Sequence, residues 1–226
     1  DNTFLSYNKV IGTSLDKELY VAFEILDYAL LSAPGAPLKQ ALLDAKIGKD
    51  IYGSFEDGIK QTYFSIVAKG ANLSQKEEFV KVIRDTLTKI MEEGIDKKAV
   101  TAGINYYEFR FREADFSSYP KGLMYGLDIL SSWLYDDTKP FCEVQLLEGF
   151  EFLKKALEEG YFEELIRKYL LDNTHGAILS LVPEKGLAAK RDKELEEKLE
   201  NYRKSLSDEE LTRMVENTKA LEAYQE

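Results

Sequence analysis

The chain has 226 residues, 44% of them hydrophobic and 31% charged, enough for one medium domain and an appendage. Its formal net charge of -11 argues against a nucleic-acid partner, which needs a clustered basic face. No run approaches the ~18 uninterrupted apolar residues of a spanning helix, so no membrane role is expected.

A single cysteine, Cys142, rules out an internal disulfide and fits a reducing compartment. The amino end lacks the basic, apolar and small-residue sections of a signal peptide. A cytoplasmic location is therefore expected, or an organelle matrix if the source is eukaryotic. The chain starts at Asp1 without a methionine and stops at Glu226 inside helical sequence, which predicts a piece of a longer polypeptide.

Thr3 to Ile11 is rich in aromatic and β-branched residues and predicts a strand. From Leu15, apolar residues at Leu19, Ala22, Phe23, Leu26, Ala29 and Leu30 take helical spacing. Pro34-Gly35-Ala36-Pro37 stops this helix at Ser32, and Pro37 suits the first turn of the next, which Gly48 is placed to end. Two strands follow, Lys49 to Phe55 and Ile59 to Lys69, with Asp57-Gly58 as the hairpin signal between them. In the second strand Thr62, Phe64, Ile66 and Ala68 form the better core face.

Ser74-Gln75-Lys76-Glu77 reads as a capping box before a helix ending at Gly94, and Asp96 caps another. Further helices are predicted over Leu123 to Leu134, about Phe141 to Glu159, and Tyr161 to Leu171. Thr174 to Val182 reads as the last strand. The pattern is α+β: an antiparallel or mixed sheet with helices stacked on one face. From Glu184 charge rises and apolar positions thin to a seam, Leu195, Leu199, Tyr202 and Leu206, then Leu211, Met214, Thr218 and Leu221. This predicts a charged helical hairpin with a second capping box at Ser207 to Glu210, its arms packing on each other and on a neighbour. The domain division is thus 1–183 and 184–226.

Chemistry is sparse. One His and one Cys cannot furnish a self-contained zinc site, and neither lies in H-x-x-E-H, H-E-x-x-H or C-x-x-C. Cys142 reads as a small buried hydrophobe, with an activated thiolate as the other reading. His175, in Asn173-Thr174-His175-Gly176, suits a strand end rather than a base or ligand. Tyr106, Tyr107, Glu108, Arg110, Arg112 and Glu113 form the densest mixed constellation, with Glu108 and Arg112 as an i,i+4 pair. A structural face is the plain reading, and contact with an extended peptide the functional one. No catalytic, metal or cofactor residue is assigned, and no substrate-binding residue is identified. A carboxylate-dependent hydrolase would need a cleft with two acidic groups at catalytic spacing, and no local motif supplies one.

The segment P-G-A-P-L-K-Q-A-L-L-D-A-K-I-G-K-D-I-Y-G-S, from Pro34, resembles the second domain of presequence-protease-type members of the pitrilysin/insulinase metallopeptidase family. Three further stretches fit the same domain: N-T-F-L-S-Y-N-K-V-I-G at the start, G-L-D-I-L-S-S-W-L-Y-D from Gly126, and L-L-D-N-T-H-G-A-I-L-S-L-V-P-E from Leu170. The tail from Glu184 is similar to the start of that subfamily's helical linker.

The resemblance implies one quarter of a clamshell of four related α+β domains, in which zinc and its H-x-x-E-H motif belong to the first domain. It makes this stretch the non-catalytic second domain: chamber wall, support for the catalytic domain and the beginning of the hinge. Its partners are then other domains of the same polypeptide and, in the full-length enzyme, an unstructured peptide. Zinc is expected in the full-length protein, held elsewhere, while this stretch alone is expected to be inactive. The alternative is an assembly module from a family member that has lost catalysis.

Overall fold

Alternation in the first strand decides where the helices go. Leu5 and Tyr7 are buried while Phe4, Ser6 and Asn8 are partly exposed, so the strand turns one apolar edge inward. The computed structural model describes residues 2–114 and 116–225. Four strands, β1 (Thr3–Val10), β2 (Asp50–Glu56), β3 (Tyr63–Ala71) and β4 (Gly176–Leu181), pair antiparallel in the order β2-β3-β1-β4. The register sets Leu5 and Tyr7 beside Ala68 and Ile66, and these beside Ile51 and Gly53. That row is the helix-covered face.

The chain divides into two compact units, Asp1–Val182 and Pro183–Glu226. In the first, α1 (Lys17–Asp27) runs into a π-helical turn, Tyr28–Ser32, and α2 (Pro37–Asp44) starts on its proline as the sequence predicts. The other helices are α3 (Lys76–Glu93), α4 (Lys97–Glu113), α5 (Lys121–Trp133), α6 (Leu147–Ala156) and α7 (Tyr161–Leu165), the last extended by a π-helical turn, Ile166–Leu171. Asp96 caps α4, accepting from the amides of Lys98 (2.9 Å) and Ala99 (3.2 Å). One core joins the sheet face to α1 and α3 through Phe23, Phe64, Phe79, Ile83 and Leu87. Tyr7 fastens the sheet to the end of α7, its hydroxyl donating to the Leu170 carbonyl at 2.8 Å.

Several boundaries differ from the sequence reading, each for a tertiary reason. The expected tight Asp57-Gly58 turn is a six-residue loop, and β3 begins at Tyr63 rather than Ile59. Ile59 is exposed, while the loop carbonyls of Lys60 and Thr62 accept from Ser14 and Ile11 and so extend the end of β1. The capping box at Ser74 is displaced by two residues: the Asn72 amide donates to Gln75 Oε1 at 3.0 Å, and a 3-10 turn, Leu73–Gln75, precedes α3. The helix expected from Phe141 starts at Leu147. Phe141 is exposed, and Cys142–Val144 is a separate 3-10 turn.

The second unit comprises α8 (Leu187–Ser205) and α9 (Asp208–Gln225). Its capping box is present: the Ser207 amide donates to Glu210 Oε2 at 2.8 Å and the Glu210 amide to Ser207 Oγ at 3.2 Å. Both predicted helices are there, but their seams do not bury each other. Leu195, Leu199, Tyr202, Met214 and Leu221 all remain exposed.

Candidate functional site

The predicted α4 constellation is split by the helix's geometry, because residues three or four apart share a face and adjacent ones do not. Glu108, nearly buried, binds Arg112 at 2.6 Å and Lys154 at 2.7 Å, tying α4 to α6. Tyr106 stacks on Tyr28 with ring centroids 5.8 Å apart. Tyr107, Arg110 and Phe111 instead face a cavity of about 300 Å³.

Six parts of the first unit wall that cavity: Tyr20, Val21 and Glu24 from α1, Asp57 from the β2–β3 loop, the α4 residues, Tyr125, Asp128 and Ser131 from α5, Glu143 from the 3-10 turn, and Phe150 from α6. Four carboxylates thus share a small space with one guanidinium, Arg110, among the described lining residues. Burial pushes Glu24 up to about 7, opposed by the hydrogen bond from Tyr107 and reinforced by the charge of Asp57. Burial likewise pushes Glu143 up to about 7, helped by Asp57 and Asp128. Asp57 and Asp128 are raised for the same first reason. The hydroxyls of Tyr20 and Tyr107 sit well above their ordinary value, burial first and neighbouring carboxylates second. Around neutral pH this site takes up and releases protons.

Sequence reasoning did not find this set. Its acids lie at positions 24, 57, 128 and 143, far apart along the chain. The one local signal is Glu24 within the apolar run of α1, one turn after Tyr20.

The other candidates are placed simply. His175 is exposed at the start of β4, where its carbonyl accepts from Val10 at 3.1 Å and its amide donates to Asn173 Oδ1 at 2.8 Å. Cys142 is half-buried in the turn before α6.

The order of elements and this geometry match known proteins along the chain. Residues 5–107 match the family described as Peptidase M16 inactive domain, and residues 181–226 match the associated region described for subgroup C of the same peptidases. The chain belongs to the peptidase M16 family.

Protein HypA of Clostridium perfringens is 43% identical over 223 residues, 99% of this chain and 23% of that protein. Presequence protease 1, chloroplastic/mitochondrial, of Arabidopsis thaliana is 33% identical over 217 residues, 94% of the chain and 20% of its own length. The chain therefore spans about a fifth to a quarter of these relatives. An inactive peptidase domain from Bordetella parapertussis superposes with a TM-score of 0.66 at 11% identity, covering 81% of this chain and 94% of that one. A protease from Helicobacter pylori gives a TM-score of 0.60 at 16% identity, over 80% and 41%. These two show the fold, and it is the α+β arrangement expected from the sequence.

The M16 chain is a non-catalytic domain of a metallopeptidase family. Zinc, which the family resemblance implies, does not fit the residues here. His175 and Cys142 lie on separate elements, and among the described residues no group of three or more His, Cys, Asp or Glu is arranged to hold a metal ion. No helix of the described residues is long and apolar enough to cross a membrane.

Proposed function

We propose that this M16 domain serves a zinc-dependent oligopeptidase that degrades unstructured peptides in a closed chamber. In this reading it forms part of the chamber wall, supports the catalytic domain and begins the hinge linker. The observation that carries it is collinearity: an inactive-domain match at 5–107 is followed by the associated-region match at 181–226, and the presequence-protease relative aligns along both. Zinc in the full-length protein belongs to another domain, which provides the nucleophilic water. The domain partners are other parts of the same polypeptide, and the compartment is the cytoplasm or an organelle matrix.

The exposed apolar surfaces support a role within a larger body. On the open sheet face Leu179 and Leu181 of β4 are 59% and 69% exposed beside Phe4 and Ser6, a patch of the kind usually covered by a partner. A carboxylate-dependent hydrolase would find its acids in the cavity, but the family match assigns this domain a non-catalytic role.

Zinc content and peptide hydrolysis of the full-length protein and of residues 1–226 test the proposal. The full-length protein is expected to hold zinc and cleave an unstructured peptide, and the isolated chain to do neither. Stoichiometric zinc that supports cleavage by the isolated chain would overturn it. A full-length protein that binds no zinc and leaves peptides intact would point to the assembly-module alternative.

A further inference from the structure

α5 is unlike the other helices of the first unit. Of its thirteen residues only Ser132 is buried, and it packs on the 3-10 turn Cys142–Val144. Tyr125, Asp128 and Ser131 recur every three residues and turn one face to the cavity. Leu123, Leu127, Leu130 and Trp133 are exposed on the remainder. The approach to this helix is sharply bent: Ala114 and Ser117, neither a glycine, both lie in the left-handed region, at φ 47° and 55°. On its far side the chain turns at Asp136, whose carboxylate accepts from the amide and hydroxyl of Thr138 at 2.9 and 2.6 Å. A helix with a small anchored area, bounded by two bends, is the part of this domain freest to hinge.

What lies beneath it is electrostatically unfavourable when ionised. Asp128 descends from α5 into the cavity, Glu143 rises from the turn that α5 packs on, and Asp57 and Glu24 face them from the β2–β3 loop and α1. Glu56 beside Asp57 and Asp27 beyond Glu24 add negative charge. Arg110 on α4 opposes them, and the neutral hydroxyls of Tyr20, Tyr107 and Tyr125 complete the lining.

We propose that Ser117–Pro140 is a proton-latched flap over this cavity, seated while the four carboxylates share protons and released when they ionise together. Seating needs at least one carboxyl of each facing pair to donate rather than repel. Acidification therefore closes the flap and alkaline conditions open it. The latch works in the same way whether or not the parent protein is a peptidase.

Trp133, the chain's single tryptophan, rides on α5 and reports on it. Acrylamide quenching of Trp133 and hydrogen exchange of the α5 amides, corrected for intrinsic rates, are measured from about pH 5.5 to 8.5 on the 226-residue chain. Quenching is expected to rise about two-fold and α5 exchange about ten-fold through a midpoint near 7, the value to which Glu24 and Glu143 are pushed, while α3 is unaffected. Asp128→Asn with Glu143→Gln, isosteric and uncharged, should hold the flap seated across the range. Arg110→Gln, which removes the opposing cation, should move the midpoint upward by about half a unit or more. Identical α5 exchange at both ends of the range, or a transition that survives unchanged in the double variant, would overturn the proposal. Circular dichroism establishes that each variant is folded, and Arg110→Gln supplies an independent answer if the double variant is not.

Discussion

Glu24 shows how one carboxyl links the cavity to stability. In the folded chain it is pushed up to about 7 by burial, against an ordinary value near 4.5. Between those values the folded state holds a proton that the unfolded chain releases. The resulting stabilisation is complete below about pH 4.5 and is lost as pH rises through about 7. Glu24→Gln keeps the oxygen that accepts from Tyr107 and removes the ionisation. It is expected to raise unfolding free energy by about 1–3 kcal/mol at about pH 8 and to leave it nearly unchanged at about pH 4.5. Denaturant titrations at the two pH values check this, and an equal effect at both would show that the ionisation is not responsible. Glu108 has the opposite sign. Hydrogen bonding from Lys154 first, and then from Arg112, holds its carboxyl below the ordinary value, so its contribution fades as pH falls.

Among the elements, α1 and the turn that continues it approach β2 closely. A Cβ on Gly53 would lie 2.2 Å from Asp27 Oδ1 and 2.3 Å from Leu31 Cδ1, with the Ser65 carbonyl at 3.2 Å. The strand can take this position beneath the helix only because residue 53 has no side chain. Gly53→Ala is expected to cost about 1–3 kcal/mol by forcing the two elements apart, a loss that thermal unfolding measures directly. Asp27 Oδ1 is buried there without a hydrogen-bond partner, so relief by a small shift of the aspartate is also open to measurement in a Gly53→Ala, Asp27→Asn pair. The same elements show what was legible beforehand. Phe64, Ile66 and Ala68 are fully buried, as two-residue alternation requires, and Pro37 and Asp96 start their helices because those signals act within a single turn. The β2–β3 loop was not legible. Its length follows from Asp57 meeting Tyr20 and from pairing with Ile11 and Ser14, contacts between distant residues. The cavity was hidden for the same reason, since its four acids come from separate elements.

The two units differ in how their helices are held. α3 buries Phe79, Ile83, Leu87 and Ile90, whereas no residue of α8 or α9 is buried among those described. Helices held only by their own hydrogen bonds and surface pairs such as Lys204–Glu200, 2.8 Å apart, open with little cost. Amides of α8 and α9 in the 226-residue chain are therefore expected to exchange at least about a hundred-fold faster than those of α3. Equal protection would mean that something covers the exposed seams in solution.

The pairing of β1 with β4 has a consequence for how this polypeptide is made. β3 reaches β1 early in the chain, but the other edge of β1 waits for Gly176 to Leu181. At roughly 5–20 residues per second of translation, that edge stays open on the ribosome for about ten to thirty seconds, with Phe4 and Tyr7 on it. A half-finished sheet of this kind is a template for pairing with neighbouring nascent chains. Slow codons or a stalled ribosome before Leu181 would thus favour aggregation, whereas a pause after it would not.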